Sequence, residues 1–101
     1  MEIRKLVDRE LGKIRKNIDT IESEINELPK GALVYIVRDG NAYYYLKRRE
    51  GKKVISIYVG KEHEDNVLKL ELQIEQRKKL EQKLKKLQEE ERIASKMLLV
   101  R

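Results

Sequence analysis

Between positions 30 and 61 the chain reads KGALVYIVRDGNAYYYLKRREGKKVISIYVGK, and the fold follows from how this stretch is divided. ALVYIVR, AYYYLKRRE and KKVISIYVG are rich in β-branched and aromatic residues, and Asp39-Gly40-Asn41 and Glu50-Gly51 separate them as turns. The pattern predicts three antiparallel strands in a meander. Side chains alternate across a strand, so Tyr44 and Leu46 should share one face with Ile55, Ile57 and Val59, and we assign that face to the core. The opposite face should then carry Tyr43, Tyr45, Lys47 and Arg49 beside Val54, Ser56 and Tyr58. A slip of one residue would exchange the two sets.

The flanks change to a helical period. Apolar residues at Val7, Leu11, Ile14, Ile18, Ile21, Ile25 and Leu28 follow a 4-3-4-3-4-3 spacing, the seam of a coiled coil. That helix should run over about residues 2–28, crossing Gly12 and stopping at Pro29 and Gly31. After the meander, Glu62, Glu64 and Asp65 suit the positive end of a helix dipole. Val67, Leu70 and Ile74 form one stripe and Leu80, Leu84 and Leu87 a second, offset by a residue across Gln76-Arg77-Lys78-Lys79. This second helix should reach residue 92 or beyond.

The expected architecture is α+β: a long helix, a three-stranded antiparallel β-meander and a second long helix, the helices forming an antiparallel coiled coil. One domain over 1–101 divides into a coiled-coil helix (1–29), a basic tyrosine-rich meander (30–61), and a coiled-coil helix with an apolar tail (62–101). Pairing the helices from the meander outward places Leu28 near Val67, Ile14 near Leu80 and Val7 near Leu87. Residues after Glu91 then overhang, with Ile93, Met97, Leu98, Leu99 and Val100 seeking cover, so a homodimer through the helices and this tail is expected.

Composition narrows the function. The chain is 40% hydrophobic and 42% charged, with room for one modest core. Cysteine is absent, which excludes disulfides and thiolate metal sites. The opening segment MEIRKLVDRELGK alternates charge and no run approaches a membrane span of about 20 apolar residues, so a cytoplasmic protein without a membrane partner is expected. The single histidine, His63, sits in an acidic loop; Ser23, Ser56 and Ser95 lie in no nucleophile motif; the five glycines stand apart as punctuation. No catalytic residue, metal site or cofactor is expected, and an enzyme is not.

Charge and aromaticity coincide instead. Residues 30–61 hold 8 Lys/Arg against 2 Asp/Glu, whereas residues 1–29 hold 6 against 7 and residues 62–101 hold 10 against 9. All five aromatic residues, Tyr35, Tyr43, Tyr44, Tyr45 and Tyr58, lie in the same segment. Lys47, Arg48, Arg49, Lys52 and Lys53 cluster around the second turn, where mutual repulsion is best relieved by a bound anion. The expected partner is nucleic acid, DNA ranked ahead of RNA, with these five cations on phosphates, Tyr43, Tyr45 and Tyr58 stacking or positioning, and Arg38 also among the nucleic-acid-binding residues. Five phosphate contacts would give a slope of roughly −4 to −5 in log K against log salt. The alternative from another class is a small phage- or mobile-element-encoded inhibitor or adaptor, of the anti-CRISPR kind, that docks on a protein or ribonucleoprotein.

The phrases Leu28-Pro29-Lys30-Gly31-Ala32-Leu33, Gly40-Asn41-Ala42-Tyr43-Tyr44-Tyr45-Leu46, Arg49-Glu50-Gly51 and Ser56-Ile57-Tyr58-Val59-Gly60-Lys61 resemble a group of small uncharacterised bacterial and archaeal proteins, some from mobile elements. That resemblance covers about a third of the chain and implies a tyrosine-rich three-stranded meander between charged helices. The meander is also loosely similar to the DNA-reading sheets of tyrosine-recombinase arm-binding domains, which implies DNA contact through the sheet. The long helix before the sheet departs from that pattern.

Overall fold

A computed structural model describes residues 2–99, and its element order is α1 (Ile3–Asn26), β1 (Ala32–Arg38), β2 (Asn41–Glu50), β3 (Lys53–Lys61) and α2 (Asp65–Leu99). The chain is α+β, with an antiparallel sheet in the order β1-β2-β3 and long helices before and after it. Val100, counted above with the apolar tail, lies outside the described residues. No helix among the described residues is long and apolar enough to cross a membrane.

The structure divides into two compact units, Leu28–Lys78 and the helical segments before and after it. In the helical unit the heptad seam of α1 is the buried stripe. Leu11, Ile18, Ile21 and Ile25 are buried, and Val7 and Ile14 are half-buried. The remaining residues of α1 face water, which is what an amphipathic helix of this period does when it packs against one neighbour. Leu80, Leu84, Leu87 and Ala94 of α2 complete the coil seam.

The coil is antiparallel, and its register differs from the expected one. The Arg4 guanidinium donates to the Leu98 carbonyl at 3.3 Å, and Arg15 pairs with Glu91 at 3.3 Å. Arg15, next to Ile14, therefore lies about three turns further along α2 than Leu80. Leu28 is likewise displaced from Val67, since its carbonyl accepts from Arg77 at 2.7 Å. The reason is the first three turns of α2: Val67 packs at Gly60 and Ile74 stands beside Leu33, Tyr35 and Tyr44, so these turns are spent on the sheet and the coil begins later. The segment after Glu91 consequently does not overhang. Ala94 is buried and Leu98 half-buried, while Ile93 and Met97 remain 48% and 51% exposed.

In the sheet unit each turn is set by backbone that only certain residues adopt. Asp39 and Gly40 both have positive φ, 52° and 78°, as a two-residue hairpin loop between twisted strands requires. One face of the sheet, with Ala42 and Leu46 buried, forms the core with Val67 and Ile74 of α2. Glu62 donates its N–H to the Ala42 carbonyl at 2.9 Å, extending the ladder past β3 and delaying α2 to Asp65.

The expected face assignment holds from Val54 to Tyr58 and changes at Val59. Tyr44 opposes Gly60 while Tyr45 opposes Tyr58, so Val59 is an unpaired β-bulge and not a core-face residue of the regular alternation. Gly60 takes the core place, where a Cβ would lie 2.7 Å from Glu64 Oε2 and 3.2 Å from Val67 Cγ2 of α2.

Candidate nucleic-acid interface

Cross-strand partners share a face, so the register maps the side of the sheet turned away from α2. Running along β2, Arg38 lies opposite Asn41; Ile36 and Lys61 flank Tyr43; Val34 and Tyr58 flank Tyr45; Ala32 and Ser56 flank Lys47; and Val54 lies opposite Arg49. Aromatic and aliphatic groups fill the middle levels; Arg38 stands beyond them at one end and Lys47 and Arg49 at the other, while Lys61 lies beside Tyr43.

The rings are organised by this register. Tyr45 and Tyr58 meet edge to face, with ring centroids 5.4 Å apart and planes at 65°. Tyr43, Tyr45, Tyr58, Ile36, Arg38 and Asp39 line a shallow depression on this face. Within it Tyr58 is 53% exposed and Ile36 45%, whereas Tyr43 and Tyr45 are half-buried. Burial among these neighbours raises the Tyr58 phenol above its ordinary value of 10.0, and the Glu64 carboxylate and the phenols of Tyr45 and Tyr43 add to the shift.

The other two tyrosines lie on the α2 side, their ring centroids 5.5 Å apart. Burial, then the carboxylates of Glu62 and Glu71, raise the Tyr44 phenol. Tyr44 is thus a packing residue, whereas Tyr43, Tyr45 and Tyr58 face outward as the alternation predicts.

The five-cation cluster is divided. Lys47 and Arg49 join the tyrosine face, and Lys52 is exposed in the turn. Arg48 and Lys53 lie on the opposite face, at the levels of Ile55 and Glu50. There Arg48 pairs with Glu50 at 2.8 Å, and its Nε is shielded from water. Strand alternation and Glu50 relieve the repulsion that adjacency in sequence implied, so these cations do not require a common anion.

Arg38, expected among the nucleic-acid-binding residues, stands on the tyrosine face, and Lys61 joins it unexpectedly. Unbroken alternation from Tyr58 would have put Lys61 on the core side; the bulge restores it to the side of Tyr43. Gly60 was the available signal, since an isolated glycine in a strand marks a bulge or a close backbone approach. Ile36 and Val34 complete the face from β1.

Among the described residues no three His, Cys, Asp or Glu side chains are grouped to hold a metal. His63 is 87% exposed, its Nε2 3.8 Å from a Glu62 carboxylate oxygen.

No curated protein and no solved structure matches the chain. A family model does match, over residues 3–69, a span that takes in α1, the whole sheet and the first turn of α2. The chain therefore belongs to that family, the domain of unknown function DUF6788.

Proposed function

We propose that this chain is a non-enzymatic, cytoplasmic nucleic-acid-binding protein that works through the outer face of its sheet. The observation that carries the reading is the Tyr45–Tyr58 ring pair, 5.4 Å between centroids, on a face whose rim holds Arg38, Lys47, Arg49 and Lys61. An exposed apolar centre loses little on leaving water, and a cationic rim attracts a polyanion over a distance set by ionic strength. Rings beside cations also match the two parts of a nucleotide, the base and the phosphate.

Two copies joined through the helices would present two such faces. Ile93 and Met97, one turn apart and half-exposed, are the residues proposed to make that contact, with Leu98 beside them.

A mobility-shift series with single- and double-stranded DNA and RNA at two salt concentrations tests the reading. Binding that weakens steeply with salt, and that is lost on Lys47→Glu with Arg49→Glu, is expected. Absence of binding to all four near about 50 mM salt, where phosphate contacts are strong, would overturn it.

A further inference from the structure

We propose that the outer face accepts an unpaired strand, seating successive bases on Tyr43 and Tyr45, and discriminates against the duplex; this rests on the reading that the face binds nucleic acid. The arrangement of charge is the first argument. Arg38 lies at one end of the face and Lys47 and Arg49 at the other, with Lys61 on the β3 edge beside Tyr43, while Ile36, Tyr43, Val34, Tyr45 and Tyr58 occupy the levels between the two ends. A duplex offers phosphates on its outside and hides the faces of its bases in the stack, so a protein that docks on it needs cations where contact is made. Here the contact centre is aromatic and aliphatic. Its complement is a base whose face is free.

Spacing agrees. Residues two apart on one face of a strand stand about 6.8 Å apart, so Tyr43 and Tyr45 form two consecutive platforms, and the span from the Asn41 level to the Lys47 level is about 20 Å. That accommodates two bases with phosphates at either end, the mode in which broad sheets with exposed rings hold unpaired strands.

Width argues against groove entry. Three strands at about 4.8 Å spacing are about 10 Å across between outer strand axes before side chains are added, whereas the major groove is about 12 Å wide and takes a two-stranded ribbon. Asp39 supplies the fourth argument: the one carboxylate lining the depression would repel a phosphate there, yet it can accept from the amino or imino group of a base.

The test compares the unmodified protein on a single-stranded DNA, the RNA of the same sequence, the corresponding duplexes, and a strand whose sites are abasic but whose phosphates are intact. Expected are affinities for the base-bearing strands about tenfold or more above those for the duplexes and the abasic strand, given the usual contribution of one stacked base. The DNA and RNA arms show which sugar is preferred. Tyr43→Leu with Tyr45→Leu should lose about tenfold or more on single strands, and Tyr43→Phe with Tyr45→Phe should retain most of the affinity. Circular dichroism of each variant checks that the sheet persists. Equal affinity for duplex and strand, or for abasic and base-bearing strands, would overturn the inference while leaving nucleic-acid binding intact. No binding to any probe would remove both.

Discussion

Gly31, in the loop before β1, has φ of +121°, and a Cβ there would meet the Lys47 carbonyl oxygen at 2.5 Å. Backbone cannot yield as a flexible side-chain tip does, so Gly31→Ala should cost about 2 kcal/mol or more. Gly12 is the counter-case, since a Cβ there meets nothing within 4 Å and the site is mid-helix. Gly12→Ala should gain about 0.5–1 kcal/mol. Urea midpoints with unchanged slopes would show the two opposite shifts. Tyr44 gives a pH-dependent counterpart. Its folded-state phenol titrates above the ordinary 10.0, so its contribution to stability is complete below pH 10 and is lost as pH rises through the folded value. Because burial is the largest cause, Glu71→Gln should lower the Tyr44 titration only part of the way toward 10, as followed by NMR of the ring carbons. At this scale the sequence was legible for Tyr43, Tyr45 and Tyr58, whose sidedness needs only strand alternation. It was misleading for Arg48, because five neighbouring cations look like one patch until alternation turns alternate members to opposite faces.

Elements were legible wherever one period repeats. The heptads of α1 announce both its length and its buried stripe, and the turn residues fix both hairpins. The partner register was not legible, because periodicity says which face packs but not which level meets which. The offset between the two stripes of α2 did hold the answer. It falls at Gln76–Lys79, where α2 passes from the sheet unit to the helical one. A double-mutant cycle tests the observed register: Arg15→Glu should destabilise, and adding Glu91→Arg should restore stability, with a coupling of about 0.2–1 kcal/mol, the usual worth of an exposed pair. Coupling of Arg15 to residues near Leu80 instead would contradict it. The bulge at Val59 was the other unreadable feature, since it depends on how close α2 passes over Gly60.

For the molecule as a whole, a proposed site with four cations replaces an expected cluster of five and changes the electrostatic prediction. If Arg38, Lys47, Arg49 and Lys61 each meet a phosphate, log K should fall against log salt with a slope of about −3 on single strands. Arg48→Gln should leave that slope unchanged and Arg49→Gln should reduce it by about 0.7. The proposed homodimer is checked by light scattering: twice the chain mass of 12.1 kDa for the native protein, falling to the single mass on Ile93→Lys with Met97→Lys while helix content persists. The placement of the tyrosines has one further consequence. Phe and Trp are absent and all five tyrosines lie in the sheet unit, so ultraviolet emission and near-ultraviolet dichroism arise from that unit alone. Far-ultraviolet dichroism is dominated by the helices, most of whose residues lie in the other unit although α2 begins in the sheet unit. The protein thus carries two built-in optical reporters weighted toward different units. Superimposable melting curves from the two would mean that sheet and coil fold as one cooperative body, and separated curves would measure how loosely they are coupled.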